Sequence, residues 1–186
     1  MGSRDKNNKR KRKLRFLKKF FDITVFLLIV LVITYFLTEY VVVRTAVHNH
    51  SMEPTLLSGD VLLTDKITYR IREPKRKEII LFINENDGEE LVKRVIGLPG
   101  ETVRIAGGKI FINGEALEDI DGLDGPFDAG DAASDFVLKE DEYFVLGDNR
   151  KESIDSRSEQ VGAVKRDAII GKTLIRIKPL NKFLIR

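Results

Sequence analysis

The sequence reads as a mainly β protein carried behind one N-terminal transmembrane helix, and three observations lead there. Residues 23–38 contain no charged side chain and are mostly Ile, Leu, Val and Phe, and the apolar run resumes beyond Glu39 as far as Val43. Ten of the 32 basic residues precede it, within residues 1–19. Beyond it the pattern turns to short period-two runs punctuated by Gly, Pro and Asn, the mark of strands and turns.

Residues 1–19 hold Arg4, Lys6, Lys9, Arg10, Lys11, Arg12, Lys13, Arg15, Lys18 and Lys19 against Asp5. The remaining residues, 20–186, carry 22 basic and 28 acidic side chains, so the high isoelectric point belongs to the tail. A basic tail suits either nucleic acid or a membrane surface. The apolar stretch that follows decides for the membrane: about 20 apolar residues span the hydrocarbon core. The expected organisation is a cytoplasmic tail over 1–19, an anchor helix over 20–43 and an extracytoplasmic domain over 44–186. Cations immediately before a span keep that end inside. A cleaved signal peptide would have a shorter apolar core and a small-x-small site, and Val43-Arg44-Thr45-Ala46 supplies none. A single-pass, uncleaved anchor in the cell membrane is therefore expected, with the lipid bilayer as partner and no nucleic acid.

The outer segment reads as strands over 60–64, 78–83, 91–96, 102–105, 109–113, 143–146 and 168–177. Ala106-Gly107-Gly108-Lys109 reads as a hairpin loop and Asn113-Gly114 as a further turn. Residues 118–135 place seven acids among Gly, Ala and Pro. Counted from Asp119, the fifth position is Leu123 and the sixth is not Gly, which does not fit a calcium loop, so a solvated surface loop is expected. Cysteine is absent, which removes disulfides, thiolate metal sites and cysteine nucleophiles. With His48 and His50 alone, a histidine-rich metal centre is not expected, and no cofactor is called for.

Three segments carry candidate chemistry. Ser51-Met52-Glu53-Pro54-Thr55-Leu56 puts a hydroxyl just outside the anchor. Its Asn49-His50-Ser51 also matches a glycosylation sequon. In the second segment, Lys93-Arg94-Val95-Ile96-Gly97-Leu98-Pro99-Gly100-Glu101, strand alternation sends Lys93 and Arg94 to opposite faces. One cation is thus carried among apolar neighbours. Burial would lower the pKa of a lysine and make it a base near neutral pH, whereas a lysine at a strand edge would reach out to water. The third, Gly147-Asp148-Asn149-Arg150-Lys151-Glu152-Ser153-Ile154-Asp155-Ser156-Arg157, packs hydroxyls, carboxylates and guanidinium groups into one loop. It suits either a network that orients a reacting group or an ordinary hydrogen-bonded loop.

These three segments, in this order behind one anchor, resemble the boxes of type I (leader) signal peptidases, small Gram-positive-type, which are serine–lysine dyad proteases. The resemblance implies antiparallel sheets in a partly open β-barrel. It implies Ser51 as nucleophile and Lys93 as general base. Ser153 would orient Lys93, and Asp148, Arg94, Asp155 and Arg157 would form supporting salt bridges. The Ser51 backbone N–H would serve the oxyanion hole, with Asn49 as a candidate second donor at a position where relatives carry serine or glycine. Val47, Met52, Leu56, Leu91 and Val92 are the candidate substrate-binding residues. The implied partners are secretory preproteins cut after small residues, Ala-x-Ala.

Rival readings have discriminating features. Self-cleaving repressors share the serine–lysine chemistry but carry a DNA-binding helical domain where this chain has its uncharged span. A non-catalytic relative should lack Ser51 or Lys93, and both are present. A plain adhesion module leaves the three boxes without a purpose.

Overall fold

The computed structural model describes residues 2–118 and 127–178. Two units separate at residues 41 and 42. The first is a helix, α1 (Gly2–Tyr40). Its stretch Lys13–Tyr40 is long and apolar enough to cross a membrane, and its apolar side chains lie exposed. Thr24 and Thr38 turn their hydroxyls back onto the helix, donating to the carbonyls of Phe20 and Thr34. That satisfies polar groups that hydrocarbon would leave unpaired.

The helix closes three residues before the end of the apolar run. Val42–Ala46 is instead a strand, β1, paired antiparallel with β2 (Val61–Asp65). Apolar content alone did not distinguish the last turn of a span from a β-branched strand. Long-range pairing with β2 claims these residues for the sheet.

After β2 comes a single helical turn, α2 (Thr68–Ile71). Then follow β3 (Ile79–Ile83), β4 (Glu90–Gly97), β5 (Thr102–Ala106), β6 (Lys109–Ile112) and β7 (Glu115–Ala116). The chain continues through a 3-10 turn at Gly130–Ala133 into β8 (Phe136–Val137), β9 (Glu142–Leu146), β10 (Val164–Lys165) and β11 (Ile169–Lys178). All seven predicted strands are present within a few residues. The two-residue strands β7, β8 and β10 are too short to show a period. Ala106 pairs with Lys109, so Gly107-Gly108 makes the two-residue hairpin turn, and Asn113-Gly114 turns β6 into β7. Of the acidic stretch 118–135, residues 119–126 lie outside the described residues.

Among the described strands every pairing is antiparallel. Seven strands form one sheet in the order β1-β2-β11-β3-β4-β9-β10, and four form a second in the order β7-β6-β5-β8. The large sheet is left open between β1 and β10, giving the partly open barrel. Its core divides into three clusters. One is built on Ile80, Phe82, Val95, Tyr143 and Val145. A second joins the small sheet to the large one through Ile96, Val103, Ile105, Phe144 and Leu146. The third, Val47, Met52, Leu56, Leu62 and Ile79, with Val92 packed against it, backs the segment that follows β1.

Candidate active site

Strand β4 carries two cations side by side in sequence, and the sheet is covered on both faces there. Leu91 and Val95 pack with the first cluster, Val92 with the third and Ile96 with the second. Lys93 and Arg94 are consequently both buried, each 2% exposed. Their partners differ in kind. Arg94 donates from Nε and Nη2 to the two oxygens of Asp148, at 2.8 and 2.6 Å. Lys93 donates from Nζ to the neutral hydroxyl of Ser153, at 3.1 Å. Desolvation dominates at Lys93 and brings its pKa down from 10.5 to about 8. Asp155 opposes that shift, Arg157 adds to it, and Asp148 opposes it. A lysine in this state gives up and takes back a proton near neutral pH.

The segment after β1 is pinned to the body by backbone bonds from Val47 N–H to Asp60 O and from Leu56 N–H to Met52 O. Met52 and Leu56 turn into the third cluster, which leaves Ser51 at the surface of a cleft, 7% exposed. Ser51 Oγ donates to Asn49 Oδ1 at 2.7 Å, and the Ser51 N–H points to the same oxygen at 3.3 Å. Asn49 thus presents its carbonyl oxygen to the serine, not its NH2 group. A half-turn of the amide about χ2 exchanges that acceptor for two donors.

The loop between β9 and β10 completes the arrangement. Asp155, fully buried, accepts from Gly147 N–H at 2.9 Å and is held by Arg157 through Nε at 2.7 Å and Nη2 at 2.9 Å. Ser156 Oγ accepts from Val145 N–H at 2.9 Å, which ties the loop back to β9. Asn149 reaches across to the other segment, its N–H to Ser51 O at 3.0 Å and its Nδ2 to His50 O at 3.1 Å. Gly147 lies between the two. A Cβ there would stand 2.2 Å from Ser153 Oγ and 2.4 Å from Ser51 O, distances no side chain tolerates. Gly147 and Asn149 were not among the candidate residues. The sequence carries them inside the third segment, where neither type advertises a close contact by itself.

Two adjoining clefts open on these residues. One, of about 460 Å³, is lined by Ser51 and Lys93 together with Asn49, Leu91, Ile154 and Val161. The other, of about 500 Å³, is lined by Ala46, Val47, Asn49, Met52, Leu91 and Val92. Leu56, expected at a pocket wall, lines neither. The turn closed by its bond to Met52 O folds its side chain into the cluster behind. His48 and His50 sit exposed at the rims, and His50 Nδ1 pairs with Glu53 at 2.7 Å. Among the described strands β1 pairs with β2 alone, and residues 90–93 of β4 pair with β3 alone. Each therefore keeps one free edge.

The fold and this arrangement meet a known family. Residues 19–178 match the family described as "Signal peptidase, peptidase S26", and the chain belongs to it. Among its relatives, the "Signal peptidase I" of Leptolyngbya laminosa is 39% identical over 142 residues, covering 72% of this chain and 68% of that protein. The "Signal peptidase I" of Bacillus caldolyticus is 36% identical over 148 residues, covering 74% of this chain and 80% of that protein. The "Probable signal peptidase I-2" of Synechocystis is 36% identical over 144 residues, and the match spans 62% of that longer protein. A solved structure of a signal peptidase I from Enterococcus faecalis V583 is similar with a TM-score of 0.45 and 36% identity, covering 55% of this chain and 97% of that one.

Proposed function

We propose that this protein is a membrane-bound serine endopeptidase that removes N-terminal signal peptides from secreted precursors, with Ser51 as nucleophile and Lys93 as general base. The observation that carries the reading is the state of Lys93: buried, bonded to a neutral hydroxyl, and lining one cleft with Ser51. A lysine paired to a carboxylate would hold its proton, and Arg94 beside it shows how the same strand handles a cation meant to stay charged.

Ser51 Oγ attacks the scissile carbonyl as its proton passes to Lys93 Nζ. The ammonium then protonates the leaving amine, and the acyl-enzyme is hydrolysed by a water that Lys93 deprotonates in turn. Charge on the carbonyl oxygen is met by the Ser51 N–H and, once its amide has turned, by Asn49 Nδ2. Ser153 orients the base, the Arg94–Asp148 pair ties the loop after β9 to strand β4, and the Arg157–Asp155 pair braces that loop internally.

The substrate runs as an extended strand between the free edges of β1 and β4. Main-chain bonds supply affinity there, and alternate side chains enter the clefts. Walls built from Val47, Met52, Leu91 and Val92 accept small apolar residues, which suits Ala-x-Ala before the cut. The cationic tail holds the N-terminus in the cytoplasm, so the β domain that follows the span lies outside. There the anchor keeps the site at the bilayer surface, where the precursor's own apolar segment is held, raising effective concentration.

The test is cleavage of a precursor with an Ala-x-Ala site by purified protein in detergent, comparing wild type with Ser51→Ala and Lys93→Ala. Cleavage after the last alanine by wild type, with both variants folded and inactive, supports the reading. Cleavage persisting in Lys93→Ala would move the base elsewhere.

A further inference from the structure

Phe127 lies outside the three motif segments, yet its ring meets two arginines of the third. The guanidinium carbons of Arg150 and Arg157 each stand 5.4 Å from its centroid. Phe127 and Ala129 also pack against the second core cluster, of which Ala132 is a buried member. The chain just beyond it also docks on Arg157. Nη1 of Arg157 donates to Asp128 O at 2.8 Å, and Asp131 N–H donates to Arg157 O at 2.8 Å. Gly130 approaches so closely that a Cβ on it would come within 2.1 Å of that same carbonyl.

Arg157 spends its remaining donors on the loop that carries Ser153 and Asp155. It bonds to both oxygens of Asp155, to Arg150 O at 2.7 Å and to Ser153 O at 3.2 Å. Its place thus sets two things about Lys93: where Ser153, which receives the Lys93 hydrogen bond, is held, and how far the charge of Asp155 is neutralised.

We propose that Phe127 is a positioning residue for the base: with residues 128–131 it forms a strut that seats Arg157 on Asp155, and so controls the charge and geometry around Lys93. The inference rests on the reading of Lys93 as general base. A guanidinium over an aromatic face is held by the ring's quadrupole as well as by contact, so an aliphatic side chain of similar volume keeps the packing and loses part of the hold. If Arg157 drifts from Asp155, the carboxylate acts on Lys93 uncompensated. Asp155 raises and Arg157 lowers the lysine's pKa, and both changes push it upward. The other charged groups around Lys93 are Asp148 from the same loop and His50, Asp87, Glu89 and Glu152 along the cleft. The strut reaches Lys93 through Arg157.

The experiment is the pH profile of kcat/KM for precursor cleavage by the full chain in detergent, for wild type, Phe127→Ala, Phe127→Leu and Phe127→Tyr, with Lys93→Ala as reference. In Phe127→Ala and Phe127→Leu the rising limb is expected to move up by about half to one pH unit, with kcat at pH 7 down about three- to tenfold and KM little changed. Phe127→Tyr, which keeps the ring, is expected to follow wild type. Should Phe127→Ala not fold, Phe127→Leu carries the comparison alone. A limb that stays in place in both ring-less variants, with any loss of rate matched by loss of folded protein, overturns the strut. Cleavage that survives in Lys93→Ala overturns the serine–lysine reading itself, a separate result.

Discussion

Lys93 Nζ donates to Ser153 Oγ at 3.1 Å, joining the middle of strand β4 to a loop sixty residues further on. One residue along the same strand, Arg94 is locked to both oxygens of Asp148. Two adjacent cations, equally buried, are thus given opposite fates: one is neutralised by a carboxylate, the other is left with a hydroxyl and little water.

Cleavage should depend on pH through Lys93. Its pKa of about 8 puts the protonated, inactive form below that point, so kcat/KM is expected to fall about tenfold per pH unit of acidification there and to level off above it. A rate flat from acid to alkaline pH would rule out a lysine base.

The same burial has a cost in stability. The folded-state pKa lies below the unfolded value of 10.5, so the unfolded chain binds more protons between the two values and wild-type stability rises with pH across that window. Replacing Lys93 with Met removes the penalty. The variant should be more stable than wild type at pH 7 by up to about 3 kcal/mol, an advantage shrinking towards pH 10.5. Thermal melts of the two proteins at neutral and alkaline pH would measure it.

The Arg94–Asp148 pair should respond asymmetrically to mutation. Asp148→Ala strands a buried guanidinium and is expected to cost about 3–5 kcal/mol, whereas an Arg94→Met, Asp148→Leu double variant should recover most of that. Denaturant titration of the two variants checks it. Equal losses in both would mean that the pair contributes net stability.

Gly147→Ala should injure both activity and stability. The added methyl must displace the Ser153 side chain and the Ser51 backbone carbonyl together, and a shift of about 1 Å beside the site costs about 100-fold in rate. The melting temperature is expected to drop clearly, and turnover per folded molecule, measured below that temperature, to fall by about that factor.

Asn49 offers a test of donor against acceptor. Its side-chain oxygen faces Ser51 in the resting protein, and Asn49→Asp keeps an acceptor there without any donor. If the turned amide stabilises the oxyanion, Asn49→Asp and Asn49→Ala should both lose about 100-fold in kcat with little change in KM. Full activity in Asn49→Asp would confine Asn49 to holding the serine hydroxyl.

Much of this protein is legible along the chain because it is written in local patterns. An uncharged run of helix-spanning length behind a block of cations needs no partner to be read. Nor does the alternation of β2, β3, β4, β5, β6, β9 and β11, since each residue's face follows from its neighbours two places away. Ser51, Lys93 and the third segment stood out by residue type and order.

What the chain did not reveal depends on pairings between distant segments. Alternation put Lys93 and Arg94 on opposite faces but was silent on their partners, which only the family resemblance suggested, because Ser153 and Asp148 reach them only when β9 and its loop pack beside β4. Residues 42 and 43 read equally well as the end of a span, until pairing with β2 drew them into β1. The insertion of β11 between β2 and β3 joins positions roughly a hundred residues apart. Gly147 and Phe127 have no periodic signature at all: their importance is a matter of which atoms stand within a few ångströms of them, and that distance is set when the sheets close.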